Sequence, residues 1–345
     1  MDYLMDKMNY KTSGVNVVAG EEAVQAIKSA VRATYNKNVL SELGSFGGLY
    51  QIDLETWKKP VLVSSTDGVG TKIRVAIQAG ILNTIGQDLV NHCVNDILVQ
   101  GAIPQYFLDY IGVGLLNPKH IEQIIEGLVT ACKANGCALI GGEMAEMSGI
   151  YQPGDFDLVG TIVGLVEKDK LLPSANLKPG DKLIGLPSSG LHTNGYSLAR
   201  KIVFEKLQLN VDSYVPECDA TVAELLLSVH RSYLRELQPL LGSDLLHGLA
   251  HITGGGIPGN LKRIIPDGML GIVDSKSWEV PALFQWLQKA GVIHSEDMLE
   301  AFNMGIGMIL VVDPALDWSS VLNPGAVEIG VVETIGSSQT KVKIM

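Results

Sequence analysis

Apolar positions recur along this chain with two different periods. Val24, Ile27 and Val31 fall on one helical face of residues 21–35. Ile121, Ile124, Leu128 and Ala131 do the same over 118–134, behind Pro118, a residue favoured at the first helical position because the N–H it lacks has no partner there. Both stretches are predicted to be amphipathic helices. Apolar, β-branched runs at 61–65, 106–113, 137–141 and 156–166 predict strands, three of them followed by glycine or by glycine plus an acid. The stretch KDKLLPSANLKPGD, residues 168–181, mixes charge with two prolines and gives way to a fresh strand at 182–186. A domain boundary is expected there, with an N-terminal domain over 1–168 and a C-terminal α+β domain over 169–345. The second half predicts helices around 195–207, 220–240 and 281–290, and strands around 269–273, 306–312 and 327–333.

The segment 85–99, IGQDLVNHCVNDILV, is a helix of a different kind. Projected at ~100° per residue, Asp88, Asn91, His92, Asn95 and Asp96 share an arc of about 140°, and the apolar residues take the rest. Solvated helix faces favour Lys, Glu, Arg and Gln, whereas Asp and Asn are poor formers of helix interiors. A face made of Asp and Asn is expected to hold a ligand, and short oxygen-bearing side chains suit Mg²⁺ or its waters.

Composition narrows the partners. A chain of 345 residues is expected to form two domains. With 46% hydrophobic and 18% charged residues it has little polar surface for a monomer, so a subunit interface is expected. The net charge of −11, with Lys and Arg scattered singly, argues against nucleic acid. Cys93, Cys132, Cys137 and Cys218 show neither a C-x-x-C pair nor zinc spacing and read as thiols in a reducing compartment. The opening MDYLMDKMNY has no apolar core of a secretory signal, and no apolar run approaches the ~20 residues of a membrane span, so a cytoplasmic location without membrane contact is expected.

The 38 glycines gather where strands end: Gly44, Gly47 and Gly48; Gly68 and Gly70; Gly141 and Gly142; Gly190 and Gly195; Gly254, Gly255 and Gly256. Such turns let successive backbone N–H groups converge on an anion. In STDGVGTK, Asp67 and Lys72 flank one of them directly behind the run Val61–Val63. Asp67, Asp88 and Asp96 as metal ligands and Lys72 at phosphate oxygens make a candidate Mg²⁺·ATP constellation. Among the histidines, His192 in SSGLHTNG is the first candidate for acid–base work and His247 the second; His120, His230 and His294 read as structural or exposed.

DGVGTK at 67–72, VNDILVQGA at 94–102, FLDY at 107–110, GGEMAEMSGIY at 141–151, SSGLHTNGYSLAR at 188–200, HGLAHITGGGIPGNL at 247–261 and FNMGIGM at 302–308 together resemble the phosphoribosylformylglycinamidine cyclo-ligases, the aminoimidazole ribonucleotide synthetases of purine biosynthesis. The motifs keep the family's order from NYKTSGV at 9–15 to nearly residue 310. The resemblance implies an α+β fold of two domains, with N-terminal sheets pairing into a barrel across a homodimer. It implies ATP and Mg²⁺ as cofactors and formylglycinamidine ribonucleotide as substrate. By matching position, Asp67, Gly68, Gly70, Thr71, Lys72, Asn95, Asp96, Gly141 and Glu143 are expected around the nucleotide, with Lys11 and the loop containing Gly47 and Gly48 closing over it. The TGGG turn is expected to hold the substrate's ribose phosphate. Where the family motifs have Met, Thr and Pro, this chain has His92, Met144 and Ser148, and an arginine pair before the glycine loop is missing. A sister ATP-dependent enzyme, of the selenophosphate synthetase or thiamine monophosphate kinase type, and a non-catalytic nucleotide-binding subunit are the alternatives.

Overall fold

A computed structural model describes residues 16–172, 176–335 and 340–345. Two sheets organise them. The first has the order β1-β4-β2-β3, built from β1 (Pro60–Gly68), β2 (Ile103–Val113), β3 (Ala138–Glu146) and β4 (Phe156–Glu167). β4 alternates buried and half-buried residues along most of its length, as a strand with one covered face must. The cover comes from α1 (Val17–Arg32), α3 (Asn83–Leu98) and α4 (Pro118–Asn135), with the short α2 (Lys72–Ala79) leading into α3. α4 begins as its sequence dictates: the Asn117 side chain accepts from Lys119 N–H, Pro118 follows, and Gly136 closes the helix at φ 68°.

The second sheet is formed by β5 (Lys182–Pro187), β8 (Leu246–His251), β9 (Met269–Val273), β10 (Ile306–Val312), β11 (Val327–Thr334) and β12 (Val342–Ile344), in the order β12-β9-β11-β5-β10-β8. A two-residue pair, β6 (Tyr214–Val215) with β7 (Ala220–Thr221), stands apart from it. β8 and β10 are buried at every residue. Among the described residues no helix is long and apolar enough to cross a membrane.

One predicted helix is not there. Residues 220–240 form only short turns of helix, Val222–Leu226, Leu234–Leu237 and the 3₁₀ turn Gln238–Leu240, with an irregular stretch through Ser228–Tyr233 between the first two. The reason lies in the polar face of α3. Asp88 accepts from His230 N–H at 2.7 Å and Asn91 donates to the His230 carbonyl at 2.7 Å. Asn95 donates to the Arg231 carbonyl at 2.8 Å and accepts from Tyr233 N–H at 3.0 Å. Side chains of one domain thus satisfy backbone groups of the other that a helix would have paired internally. Asp88, Asn91 and Asn95 on this face of α3 are thus covered by protein while Asp96 stays partly exposed, and this places the domain junction directly behind Asp67 and Asp96.

Candidate active site

Asp67 lies near the end of β1 and Asp96 in the last turns of α3, which packs against that strand. Their side chains are 45% and 26% exposed, and two buried histidines lie between and behind them. His92 Nε2 is 2.8 Å from Asp67 Oδ2 and 3.6 Å from Asp96 Oδ2, and His251 Nδ1 is 2.8 Å from Asp96 Oδ1. Ser65 Oγ donates to Asp96 at 3.0 Å, and Gly68 N–H donates to Asp67 at 2.7 Å. The His92 hydrogen bond holds the Asp67 carboxyl below its ordinary range. Burial works against the Asp96 charge, but the bond from His251 and the nearby imidazoles outweigh it and its pKa also falls. Burial likewise opposes a charge on His92, yet Asp67 and Asp96 together raise its pKa.

A chain of polar contacts runs inward from this lip. His92 Nδ1 meets Thr193 Oγ1 at 2.8 Å, Thr193 Oγ1 lies 3.4 Å from His230 Nδ1, and His230 Nε2 is 3.1 Å from His251 Nε2. The His192 ring stacks on that of His230 with centroids 4.0 Å apart, and its Nε2 accepts from Ser189 N–H at 3.1 Å. Burial pushes the pKa values of both His192 and His230 well below the usual histidine range, so both rings are neutral.

Five expected roles change once the side chains are in place. Lys72 does not reach outward: its ammonium is fully buried, 2.7 Å from Asp88 Oδ2, and it donates to the carbonyls of Ser228 at 2.7 Å and His192 at 3.2 Å. Asp88, equally buried, is the counter-ion of Lys72, and its carboxylate has no opening to a metal ion. His247 is at the far end of β8 from His251, where its Nδ1 meets the buried Asp181 at 2.7 Å. His192 is 1% exposed, enclosed by His230 and Tyr233, and touches no open surface at which a substrate proton could be exchanged. Asn95 is also fully buried and spends both ends of its amide on the Ser228–Tyr233 stretch, which takes it away from a nucleotide.

Gly47, Gly48, Gly141 and Glu143 come together elsewhere. They line a groove of about 1160 Å³ at the β3 edge of the first sheet, walled by α1 and by the loop through Phe46. Asp109 forms part of its floor, and burial pushes its carboxyl up to about 7. Gly142 pairs with Asp109 in the parallel register of β2 and β3, and a Cβ there would come within 2.7 Å of the Asp109 carbonyl oxygen, so only glycine fits. The strand registers connect the two places: Asp67 opposes Gly160, Gly160 opposes Asp109, and Asp109 opposes Gly142. Three strand spacings of ~4.8 Å put the groove about 14 Å from the carboxylate lip, on one row of the sheet.

Family models match the chain in two parts: the N-terminal domain of AIR synthase related proteins over residues 50–166, and the C-terminal domain over 178–342. The chain belongs to the AIR synthase related family. It is 45% identical over 340 residues to the phosphoribosylformylglycinamidine cyclo-ligase of Trichlorobacter lovleyi, covering 97% of each chain. It is 48% identical over 306 residues to the enzyme of that name from Citrifermentans bemidjiense, covering 89% of this chain and 88% of the relative. Among solved structures, thiamine-monophosphate kinase from Stenotrophomonas maltophilia superposes with a TM-score of 0.67 at 18% identity, over 92% of this chain and 95% of that one. Hydrogenase maturation protein HypE in complex with ATP superposes with a TM-score of 0.65 at 19% identity, over 96% and 92%. These two likenesses establish a shared fold.

Within the family frame, Asp67 and Gly68 end β1 and lead into a turn at Gly70 and Thr71, with Gly70 at φ 71° and Thr71 exposed beside Ser197. Lys11 lies outside the described residues. Sequence reasoning missed the part played by His251, His230 and Thr193. His251 offered one signal, its position two residues before Thr253 of the TGGG turn; His230 offered none, because only the failed helix brings it to the junction.

Proposed function

We infer that the chain closes formylglycinamidine ribonucleotide to 5-aminoimidazole ribonucleotide at the expense of ATP, the reaction of the cyclo-ligases that it matches over nearly its whole length. In the substrate the ribose-bearing amidine nitrogen must attack the formyl carbon while the formyl oxygen leaves. An oxide is too poor a leaving group. Transfer of the γ-phosphoryl group to that oxygen lets it depart as phosphate, with ADP released, a new C–N bond formed and one proton lost from the amidine nitrogen.

The observation that carries this reading is the half-exposed carboxylate pair Asp67 and Asp96 beside a glycine turn. Two hard anionic oxygens on neighbouring elements fit Mg²⁺, which is commonly held by one or two carboxylates and completed by substrate phosphates. Bound there, Mg²⁺ supplies neutralisation of charge on the transferring phosphoryl group. Asp67 and Asp96 would hold the cation that orients the polyphosphate end, and Gly70 and Thr71 offer backbone donors to it. The groove lined by Gly47, Gly48, Gly141 and Glu143, on the same row of the sheet, is the proposed seat for a further part of the ligands. The Thr253–Gly256 turn after His251 is the proposed seat of the ribose phosphate.

A homodimer of about 74 kDa, twice the 37.0 kDa chain, belongs to the same reading. The first sheet supports it: the face turned away from its helices carries Leu62 at 60% exposure and half-buried Tyr106, Leu108, Tyr110, Val159 and Val163.

The test is to supply purified protein with formylglycinamidine ribonucleotide and Mg·ATP and follow both aminoimidazole and ADP. Both products are expected in equal amounts, and Asp96→Asn is expected to lower turnover by roughly 10²-fold or more while the fold persists. ATP turnover that responds to thiamine monophosphate and not to formylglycinamidine ribonucleotide would overturn the reading in favour of a sister enzyme.

A further inference from the structure

Donor atoms from β1, α3 and β8 converge on one small volume at the junction of the domains. His92, Asp96 and His251 each offer one ligand atom, all within 4.8 Å of one another, and Asp67 adjoins this group through its Oδ2, 2.8 Å from His92 Nε2. For cation bonds of ~2.0–2.2 Å, donors on adjacent vertices sit about 3–3.4 Å apart. The separations of 2.8 Å from Asp67 to His92, 3.6 Å from His92 to Asp96 Oδ2 and 2.8 Å from Asp96 Oδ1 to His251 bracket that spacing, with Asp96 facing the two rings through its two oxygens. The outer nitrogens are also arranged for ligation. His92 Nδ1 has Thr193 Oγ1 at 2.8 Å, and His251 Nε2 has His230 Nε2 at 3.1 Å. An imidazole that keeps its N–H on an outer acceptor turns a lone pair inward, and such partners fix the tautomer and orientation of metal-binding histidines.

We propose that His92, His251, Asp67 and Asp96 form a mixed nitrogen and oxygen site for a divalent transition cation such as Mn²⁺, Co²⁺ or Zn²⁺. The inference rests on the reading above that Asp67 and Asp96 face a divalent cation, and it adds the two imidazoles as ligands. Mg²⁺ takes oxygen donors, whereas imidazole favours first-row transition ions, so two imidazoles at the carboxylate pair shift the preference towards the latter. The site is reachable because Asp67 and Asp96 are exposed at its rim. The neighbouring triad of His192, His230 and His251 is a weaker candidate: His192 Nε2 already accepts from Ser189 N–H, and all three rings are at most 6% exposed.

The experiment uses full-length protein stripped with a chelator and titrated separately with Mg²⁺, Co²⁺ and Mn²⁺. One Co²⁺ per chain is expected, with visible ligand-field absorption, and bound Mn²⁺ is expected to show ¹⁴N modulation from imidazole in pulsed electron paramagnetic resonance. Loss of outer partners alone weakens metal sites ~10–100-fold, so loss of a ligand in His92→Gln should weaken Co²⁺ binding by roughly 10²-fold or more. Mg²⁺ binding should stay within about threefold in that variant, because its oxygen ligands remain. The resonance measurement needs no variant and is therefore independent of whether a histidine substitution folds. Mn²⁺ bound without ¹⁴N modulation, or His92→Gln with the parent's Co²⁺ affinity, overturns the imidazole ligands and leaves the carboxylate pair standing. Parent affinity for both Mg²⁺ and Co²⁺ in Asp96→Asn overturns the proposal together with the carboxylate reading beneath it.

Discussion

Replacing Lys72 by methionine asks whether that residue holds the domains together or serves phosphate. Its ammonium and the Asp88 carboxylate are 2.7 Å apart with neither side chain exposed. At an effective dielectric of ~20 the Coulomb attraction across that gap is about 6 kcal/mol, and the cost of desolvating both ions offsets much of it. Burial pulls each group towards its neutral form, lowering the Lys72 pKa and raising that of Asp88, and their mutual attraction opposes this. Methionine keeps the shape and removes the charge. Asp88 is then left with the His230 N–H, and the carbonyls of Ser228 and His192 lose a donor. Breaking one side of a buried pair costs ~3–5 kcal/mol. With an unfolding entropy of ~2.1 cal/mol/K per residue, a chain of this length unfolding as one unit should lose about 4–7 °C in Tm. The double variant Lys72→Met/Asp88→Leu should recover most of the loss, because no uncompensated charge remains. Differential scanning calorimetry on the two single variants and the double variant measures the coupling. A Lys72→Met protein that melts within 1 °C of the parent but no longer turns over ATP would refute the buried-pair account and return Lys72 to the phosphates.

Other outcomes follow from the same geometry. Asp109, with an ordinary pKa of 3.8 and a folded one of about 7, keeps its proton in the folded state over a range where the unfolded chain has lost it. Stability should therefore fall as pH rises through that window, by at most about 4 kcal/mol and by less for a partly exposed carboxyl. Asp109→Asn should flatten the profile, and urea titrations at pH 5 and pH 8 check the sign. Gly142→Ala forces a Cβ against the Asp109 carbonyl and should cost ~1–3 kcal/mol, read as a shift in the urea midpoint. Light scattering at micromolar concentration should give twice the mass of one chain, and a monomer there would remove the exposed sheet face as an interface.

Much of the architecture is legible in the sequence because it depends on neighbours in the chain. The period of α4, its Asn117–Pro118 start and its Gly136 stop are local signals, and the alternation along β4 follows from a sheet with one covered face. The asparagine and aspartate face of α3 is legible in the same way, since those residues are poor choices for a solvated helix. What that face does is decided by residues far along the chain. Asp88 was indistinguishable from Asp96 as a carboxylate on one helical arc, yet one lies under the Ser228–Tyr233 stretch and the other opens beside β1. Lys72 follows the glycine turn, where its sequence position suggests phosphate, but α2 turns its side chain into the interior, where Asp88, two carbonyls and the Tyr196 ring make a buried ammonium tolerable. The helix expected over 220–240 is lost for a related reason: α3 supplies hydrogen bonds that a lone segment would have had to make for itself, and His230 thereby comes to rest against His251. Periodicity reports what a segment does with its own backbone and one buried face. Which charges meet, and which remain open to a ligand, depends on how the elements pack, and the contacts that cover Lys72 and Asp88 or hold Asp96 come from residues more than 100 positions away, in place only once the two sheets have packed.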